Sequence, residues 1–157
     1  MPVTNLLIAN RGEIAIRIAR AAADLGIATV AVHTPDDAES LHTRVADRAI
    51  ALPKGGAAGY LDIDAVIAAA KEAGCDAVHP GYGFLAERAD FARACADAGL
   101  TFVGPSSDHL ALFGDKGRAR AAALAADVPV SNGIDRAVSL EEAKAFFAGL
   151  GDGAAMI

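Results

Sequence analysis

The sequence predicts an α/β fold: a parallel sheet of short strands with helices on both faces. Three observations predict it. From residue 5 to 104, brief apolar runs alternate with stretches whose apolar residues return every three or four positions. Glycine closes those helical stretches at Gly26, Gly74 and Gly99. Hydrophobic residues make up 54% of the 157 positions and charged residues 22%, enough apolar side chains to bury both faces of a sheet.

The elements follow in order. Leu6-Leu7-Ile8-Ala9 reads as a buried strand that stops at the turn Asn10-Arg11-Gly12. From Glu13 the period becomes helical, with Ile14, Ile18, Ala21 and Leu25 as the expected apolar stripe. Ala28 to Val32 is a second strand, Thr34 to Asp37 a loop, Leu41 to Asp47 a short helix and Ala49 to Leu52 a third strand. Pro53 to Gly59 reads as a glycine-rich loop. Asp62 is placed to cap a helix carrying Ile63, Val66, Ile67 and Ala70. Ala77-Val78-His79 is a fourth strand, and Phe91, Ala94, Cys95 and Ala98 mark the next helix. Thr101 to Val103 is a fifth strand. The whole is a Rossmann-like unit.

Beyond Gly104-Pro105 the alternation ends. Ser106 to Phe113 and Asp115 to Ala126 read as two helices with no strand between them. Ser139-Leu140-Glu141-Glu142 is a capping box that opens one more. Gly149 to Gly153 reads as a loop, and Ala154 to Ile157 as the start of a strand in a truncated second domain. The expected division is 1–105, connecting helices over 106–130, and 131–157 as the start of that domain.

A net charge of −6 and a pI of about 5.1 argue against nonspecific binding to nucleic acid or anionic membrane. No apolar run approaches the roughly 20 residues of a membrane span, and the start lacks the basic residues of a secretory signal. A cytoplasmic location is the expectation. Cys75 and Cys95 lie too far apart for a C-x-x-C pair and read as buried thiols of a reducing compartment. His33, His42 and His109 have no ligand spacing, so no metal site is assigned to them.

Ligands of such a sheet sit beyond the carboxyl ends of the strands, which singles out loops 10–13, 33–37 and 79–84. A dinucleotide site would need G-x-G-x-x-G in the first loop, where only Gly12 is present. The alternative is that Gly12 makes the turn and Arg11 pairs with a nearby carboxylate. In the third loop, Gly81 and Gly83 flank Tyr82, and such a loop can bring backbone N–H groups to a ligand. Glu87 is expected at the start of the next helix, where the dipole alone would account for a carboxylate. His79 reads as a structural histidine. Lys116, placed in a first helical turn behind Asp115, opposes the dipole and would meet an anion together with free N–H groups. A solvated lysine explains it equally. Arg17, Arg20 and Asp24 form a polar stripe that is either a solvated face or a dimer contact.

Taken in order, several segments resemble biotin carboxylase: Ile8-Ala9-Asn10-Arg11-Gly12-Glu13-Ile14-Ala15, Ala46-Asp47, Tyr60-Leu61, His79-Pro80-Gly81-Tyr82-Gly83-Phe84-Leu85-Ala86-Glu87, Phe102-Val103-Gly104-Pro105 and Gly114-Asp115-Lys116. The first and fourth are the specific ones. The resemblance implies a pre-ATP-grasp, Rossmann-like domain followed by the start of an ATP-grasp domain. It implies an ATP-dependent ligase that forms carboxyphosphate from ATP and bicarbonate with Mg²⁺, then carboxylates biotin on a carrier protein. By the same resemblance Lys116 contacts ATP, while Gly81, Tyr82, Gly83 and Glu87 lie near the bicarbonate and biotin pocket. Arg17, Arg20 and Asp24 match a homodimer helix, with Asp24 where a glutamate is common.

The resemblance also implies a biotin carboxyl carrier domain and a carboxyltransferase subunit as partners. No catalytic or metal-binding residue is expected within these 157 residues, and the segment alone is expected to be inactive. An acyl-CoA carboxylase is the expected setting. A pyruvate or urea carboxylase, the more distant carbamoyl phosphate synthase, and a non-catalytic dimerisation scaffold are the alternatives. A Rossmann oxidoreductase is disfavoured by the missing glycines.

Overall fold

A computed structural model describes residues 2–134 and 136–150. The chain forms two compact units, Met1–Ala111 and a second that begins at Leu112. The strand expected over Ala154 to Ile157 lies outside the described residues.

The first unit is built on five parallel strands, β1 (Asn5–Ile8), β2 (Ala28–His33), β3 (Arg48–Ala51), β4 (Ala77–His79) and β5 (Thr101–Phe102). Their order in the sheet is β3-β2-β1-β4-β5. The chain moves outward from β1 to β3, crosses back, and continues from β4 to β5. The direction of winding therefore reverses between β1 and β4, which pair from Leu6↔Ala77 to Ile8↔His79. The Rossmann-like α/β fold read from the sequence is the fold observed.

Side chains alternate across the strands and build two cores. Leu6, Ile8 and Ala77 point to helix α1 (Gly12–Asp24), where they meet Ala15, Ile18, Ala19 and Ala22. Val45 of helix α2 (Leu41–Val45) joins them. Leu7, Val30, Val32 and Val78 point the other way, onto Val66, Ala69 and Ala70 of α4 (Ile63–Glu72) and Phe91 and Cys95 of α5 (Ala89–Asp97). Alanine dominates the helix side, so helix and sheet backbones approach closely.

Three expectations need correction. The buried face of α1 is Ala15, Ile18, Ala19 and Ala22; Ala21 is exposed and Leu25 is 75% exposed. The small alanines can lie against the sheet, so the buried face is rotated by about a fifth of a turn from the expected stripe. The expected loop at 53–59 contains a helix, α3 (Gly56–Tyr60). It is anchored by Tyr60, which is fully buried, and Gly59 sits where a Cβ would collide with the Lys54 carbonyl and the Thr34 side chain. Finally, Glu87 does not open a helix: it lies exposed in a turn, Arg88 is the N-cap of α5, and Asp90 is the acid in its first turn.

Both cysteines are buried and unpaired, and burial pushes each thiol up to about 11. Asp62 caps α4 by accepting from the Ala65 N–H at 3.1 Å. Helix α6 (Ser107–Phe113) closes the alternating region.

In the second unit, α7 (Lys116–Ala125) is capped by Asp115, whose Oδ1 accepts from the Arg118 N–H at 2.9 Å. Helix α8 (Leu140–Ala148) carries the full capping box between Ser139 and Glu142. Neither helix has a buried residue.

Candidate ligand-binding loops at the sheet reversal

The loops after β1 and β4 meet where the winding reverses, and one side chain joins them. Asn10 is 2% exposed. Its Nδ2 donates to the carbonyls of Pro80 (2.7 Å) and Tyr82 (2.9 Å), and its Oδ1 accepts from the Arg11 N–H (2.9 Å). The carboxamide thus satisfies two loop carbonyls that a buried position would otherwise leave unpaired.

The loop needs its glycines for two different reasons. Gly81 has φ +67°, and a Cβ there would lie 2.7 Å from Asn10 Nδ2. Gly83 has φ +65° but open space where a Cβ would be. Gly81 is therefore fixed by packing as well as backbone, while Gly83 stands at an open surface. Tyr82 is 63% exposed, with its hydroxyl 3.5 Å from Glu13 Oε2. His79 Nδ1 accepts from the Gly81 N–H at 3.0 Å, and burial holds its pKa below the ordinary 6.5. It is a structural histidine that supports the same loop.

The second loop joins through Arg11. Its Nη1 donates to Asp37 Oδ2 at 2.9 Å, an acceptor shared with the Tyr60 hydroxyl at 3.0 Å. Ser40 Oγ donates to Asp37 Oδ1 at 3.0 Å. Burial works against the Asp37 charge, but the donors Arg11, Ser40 and Tyr60 outweigh it and hold the carboxyl below its usual range. Burial, followed by the nearby Asp37, pushes the Tyr60 phenol up to about 12. The carboxylate partner expected for Arg11 is thus Asp37, and Gly12, at φ +62°, makes the turn.

The N-terminus of α1 carries Glu13 in its first turn, a carboxylate where a dinucleotide would place its pyrophosphate. With Arg11 and Asn10 filling the preceding turn, the residues present do not fit that cofactor. Glu13 instead pairs with Arg17 at 3.5 Å, four residues along the helix. Arg17, Arg20 and Asp24 all lie exposed on α1. Glu87 is exposed near the end of the third loop. Among the described residues, no group of three or more His, Cys, Asp or Glu side chains is placed to hold a metal ion.

Lys116 belongs to the second unit, as the first residue of α7, in a first turn with no acid. With Arg118 and Arg136 it lines a cleft of about 450 Å³. Arg136 is held by Glu142 at 2.7 Å, and that pairing, with the Ser139 backbone, lowers the Glu142 carboxyl to about 2. Lys116 and Arg118 in the first turn of α7, in a cleft that Asp115 also lines, suit a phosphate-bearing anion. Sequence placed Asn10 and Asp37 in the candidate loops 10–13 and 33–37 without giving either the role seen here, and left Tyr60 outside those loops. The signal available was Asn10 at a strand end with a glycine loop elsewhere, which does not say that the two meet.

Residues 2–110 match the family described as biotin carboxylase, N-terminal domain. Mitochondrial pyruvate carboxylase of Mus musculus is 53% identical over 148 residues, covering 92% of this chain and 13% of that protein. A solved single-chain, multi-domain long-chain acyl-CoA carboxylase is 51% identical with a TM-score of 0.90, covering 93% of this chain and 15% of that one. The biotin carboxylase domain dimer of Hydrogenobacter thermophilus 2-oxoglutarate carboxylase, solved with MgADP, ADP and bicarbonate, is 39% identical. Its TM-score is 0.91, covering 96% of this chain and 34% of that one. The chain therefore spans only a minor part of the length of these relatives. With its strand order, its Asn10-tied glycine loop and a family match over 2–110, the chain belongs to the biotin carboxylase N-terminal domain family.

Proposed function

We propose that this chain is the N-terminal part of an ATP-dependent carbon–nitrogen ligase that uses bicarbonate to carboxylate biotin on a carrier domain. The observation that carries this reading is the loop at the sheet reversal. Gly81, Tyr82 and Gly83 are held from below by Asn10, and Gly83 leaves backbone accessible at an open surface. Such a loop offers N–H groups to a carboxylate or ureido oxygen without an intervening side chain. Gly81, Tyr82, Gly83 and Glu87 then border the bicarbonate and biotin pocket.

Lys116, with Arg118 and Arg136 beside it, would hold phosphate oxygens of ATP. ATP supplies the phosphoryl group that activates bicarbonate. By the family resemblance, the residues that would hold Mg²⁺ lie beyond this segment. Arg17, Arg20 and Asp24 form the homodimer face, a reading supported by their exposure on α1 and by the dimer of the Hydrogenobacter relative. The segment alone is inactive, and a carboxyltransferase completes the reaction in the cytoplasm.

The proposed acceptor is an acyl-CoA, in line with the 51% identical long-chain acyl-CoA carboxylase. The 53% identity to a pyruvate carboxylase supports pyruvate as the second reading.

The test is ATP hydrolysis by the full-length chain containing this segment. Turnover should require bicarbonate and rise with biotin; equal turnover with and without them would overturn the assignment. Carboxylation of acyl-CoA against pyruvate then separates the two acceptors. Light scattering of Arg20→Glu should show a smaller mass, and an unchanged mass would remove the dimer assignment.

A further inference from the structure

One part of the site is not explained by holding the loop from below. Phe84 has φ +43°, a left-handed conformation that a bulky L-residue keeps only where its surroundings over-determine it. Asn10 reaches the carbonyls at 80 and 82, not Phe84. What surrounds Phe84 is the Tyr60 ring, 5.2 Å away at 31°, and the Arg11 guanidinium, 5.7 Å from the ring centre. The same guanidinium lies 5.5 Å from the centre of Tyr60.

Arg11, with its side chain 41% exposed, is itself tethered. Asp37 holds it at 2.9 Å, and Asp37 is fixed in turn by Ser40 and by the Tyr60 hydroxyl. These contacts link the turn after β2 to the end of the loop after β4. Asn10 and His79 hold the loop at Pro80, Gly81 and Tyr82, and Arg11 with Tyr60 meets the Phe84 ring just after Gly83.

We propose that Arg11 is a positioning residue: by fixing Phe84 it sets the direction in which Tyr82 and Gly83 present their backbone to biotin. This rests on the reading above that the loop borders the biotin pocket. Lysine keeps the charge for Asp37 but lacks the flat fork that pairs with a carboxylate while lying against two rings.

The test uses the full-length chain, with biotin-stimulated ATP hydrolysis as the readout. Arg11→Lys should raise the KM for biotin about tenfold, leaving the KM for ATP unchanged. Phe84→Leu keeps the apolar bulk and the Arg11–Asp37 pair, so it carries the test if Arg11→Lys fails to fold. It should shift the KM for biotin in the same way, and the double variant should be no worse than either alone. An unchanged KM for biotin in the folded variants, a parallel rise for ATP, or additive effects would overturn the proposal. A wild-type chain without biotin stimulation would instead overturn the functional reading beneath it, and this proposal with it.

Discussion

The two units of this chain solve the problem of apolar surface differently. The first places a sheet between helices and buries Leu7, Ile8, Val78, Leu85 and Phe91 completely. In the second, Phe113 is 62% exposed, Phe147 56% and Leu140 69%, and α7 and α8 have no fully buried residue, only partly buried ones such as Ala123 and Phe146. A parallel sheet has two apolar faces that must both be covered, so its burial follows from its topology. A helix of nine or ten residues has one apolar stripe and is marginal in water by itself, so most of its stability has to come from packing of that stripe. Each helix of the second unit also has a local cap, Asp115 on α7 and the Ser139–Glu142 box on α8, worth about 1 kcal/mol apiece.

That contrast can be broken most directly with a matched pair of substitutions. Phe91→Ala removes a fully buried ring that meets Phe102 edge-on at 5.8 Å, and should lower stability by about 3–5 kcal/mol. Phe147→Ala should cost well under 1 kcal/mol, as for an ordinary surface change. Urea denaturation of both variants measures the difference, and comparable losses would show that the second unit has a core of its own.

A second pair sharpens the distinction within the loop. Gly83→Ala should cost the left-handed backbone term alone, about 1–2 kcal/mol. Gly81→Ala should cost more, because its Cβ also meets Asn10, and it should displace the loop. Thermal melting ranks the two; equal losses would mean that the Asn10 carboxamide yields without cost.

Smaller still is the loss of a cap. Ser139→Ala should destabilise α8 by about 1 kcal/mol. Hydrogen exchange at the first turn of α8 would detect it, and unchanged exchange would show that the box is not what holds the helix.

The mildest perturbation near neutrality is pH. Burial lowers the pKa of both His42 and His79 below 6.5. The unfolded chain therefore takes up protons first. Stability is full above about pH 6.5 and falls as pH drops below it. The loss should deepen below about 3.8, where Asp37 and Asp76 titrate in the unfolded chain but remain charged in the folded one. Stability measured across pH 4.5 to 7.5 should slope upward, and His79→Gln should flatten part of that slope. A flat profile would mean that the histidines are as open to water as in the unfolded chain.

The alternation of strand and helix, the caps at Asp62, Asp115 and Ser139, and the loops that carry the site were legible because each rests on neighbours within a few residues. The helix Gly56–Tyr60 was not legible, because its glycines count locally as breakers, while the burial of Tyr60 and the bonds from Gly56 to Asp36 and from Tyr60 to Asp37 come from the tertiary fold. The face of α1 was misread for the same reason: an alanine looks neutral in sequence and becomes the contact residue once the sheet is close. Glu87 was placed in a helix because nothing local marks the turn that precedes Arg88.

The sequence by itself determined which segments are strands, where most helices start, and that Gly81 and Gly83 belong to a loop able to approach a ligand. Only the tertiary structure decided that Asn10 reaches across 70 residues to Pro80 and that Arg11 finds Asp37 26 residues away. Propensity, periodicity and capping act over a few residues. A hydrogen bond between distant loops depends on the order of strands in the sheet, and no local pattern encodes that order.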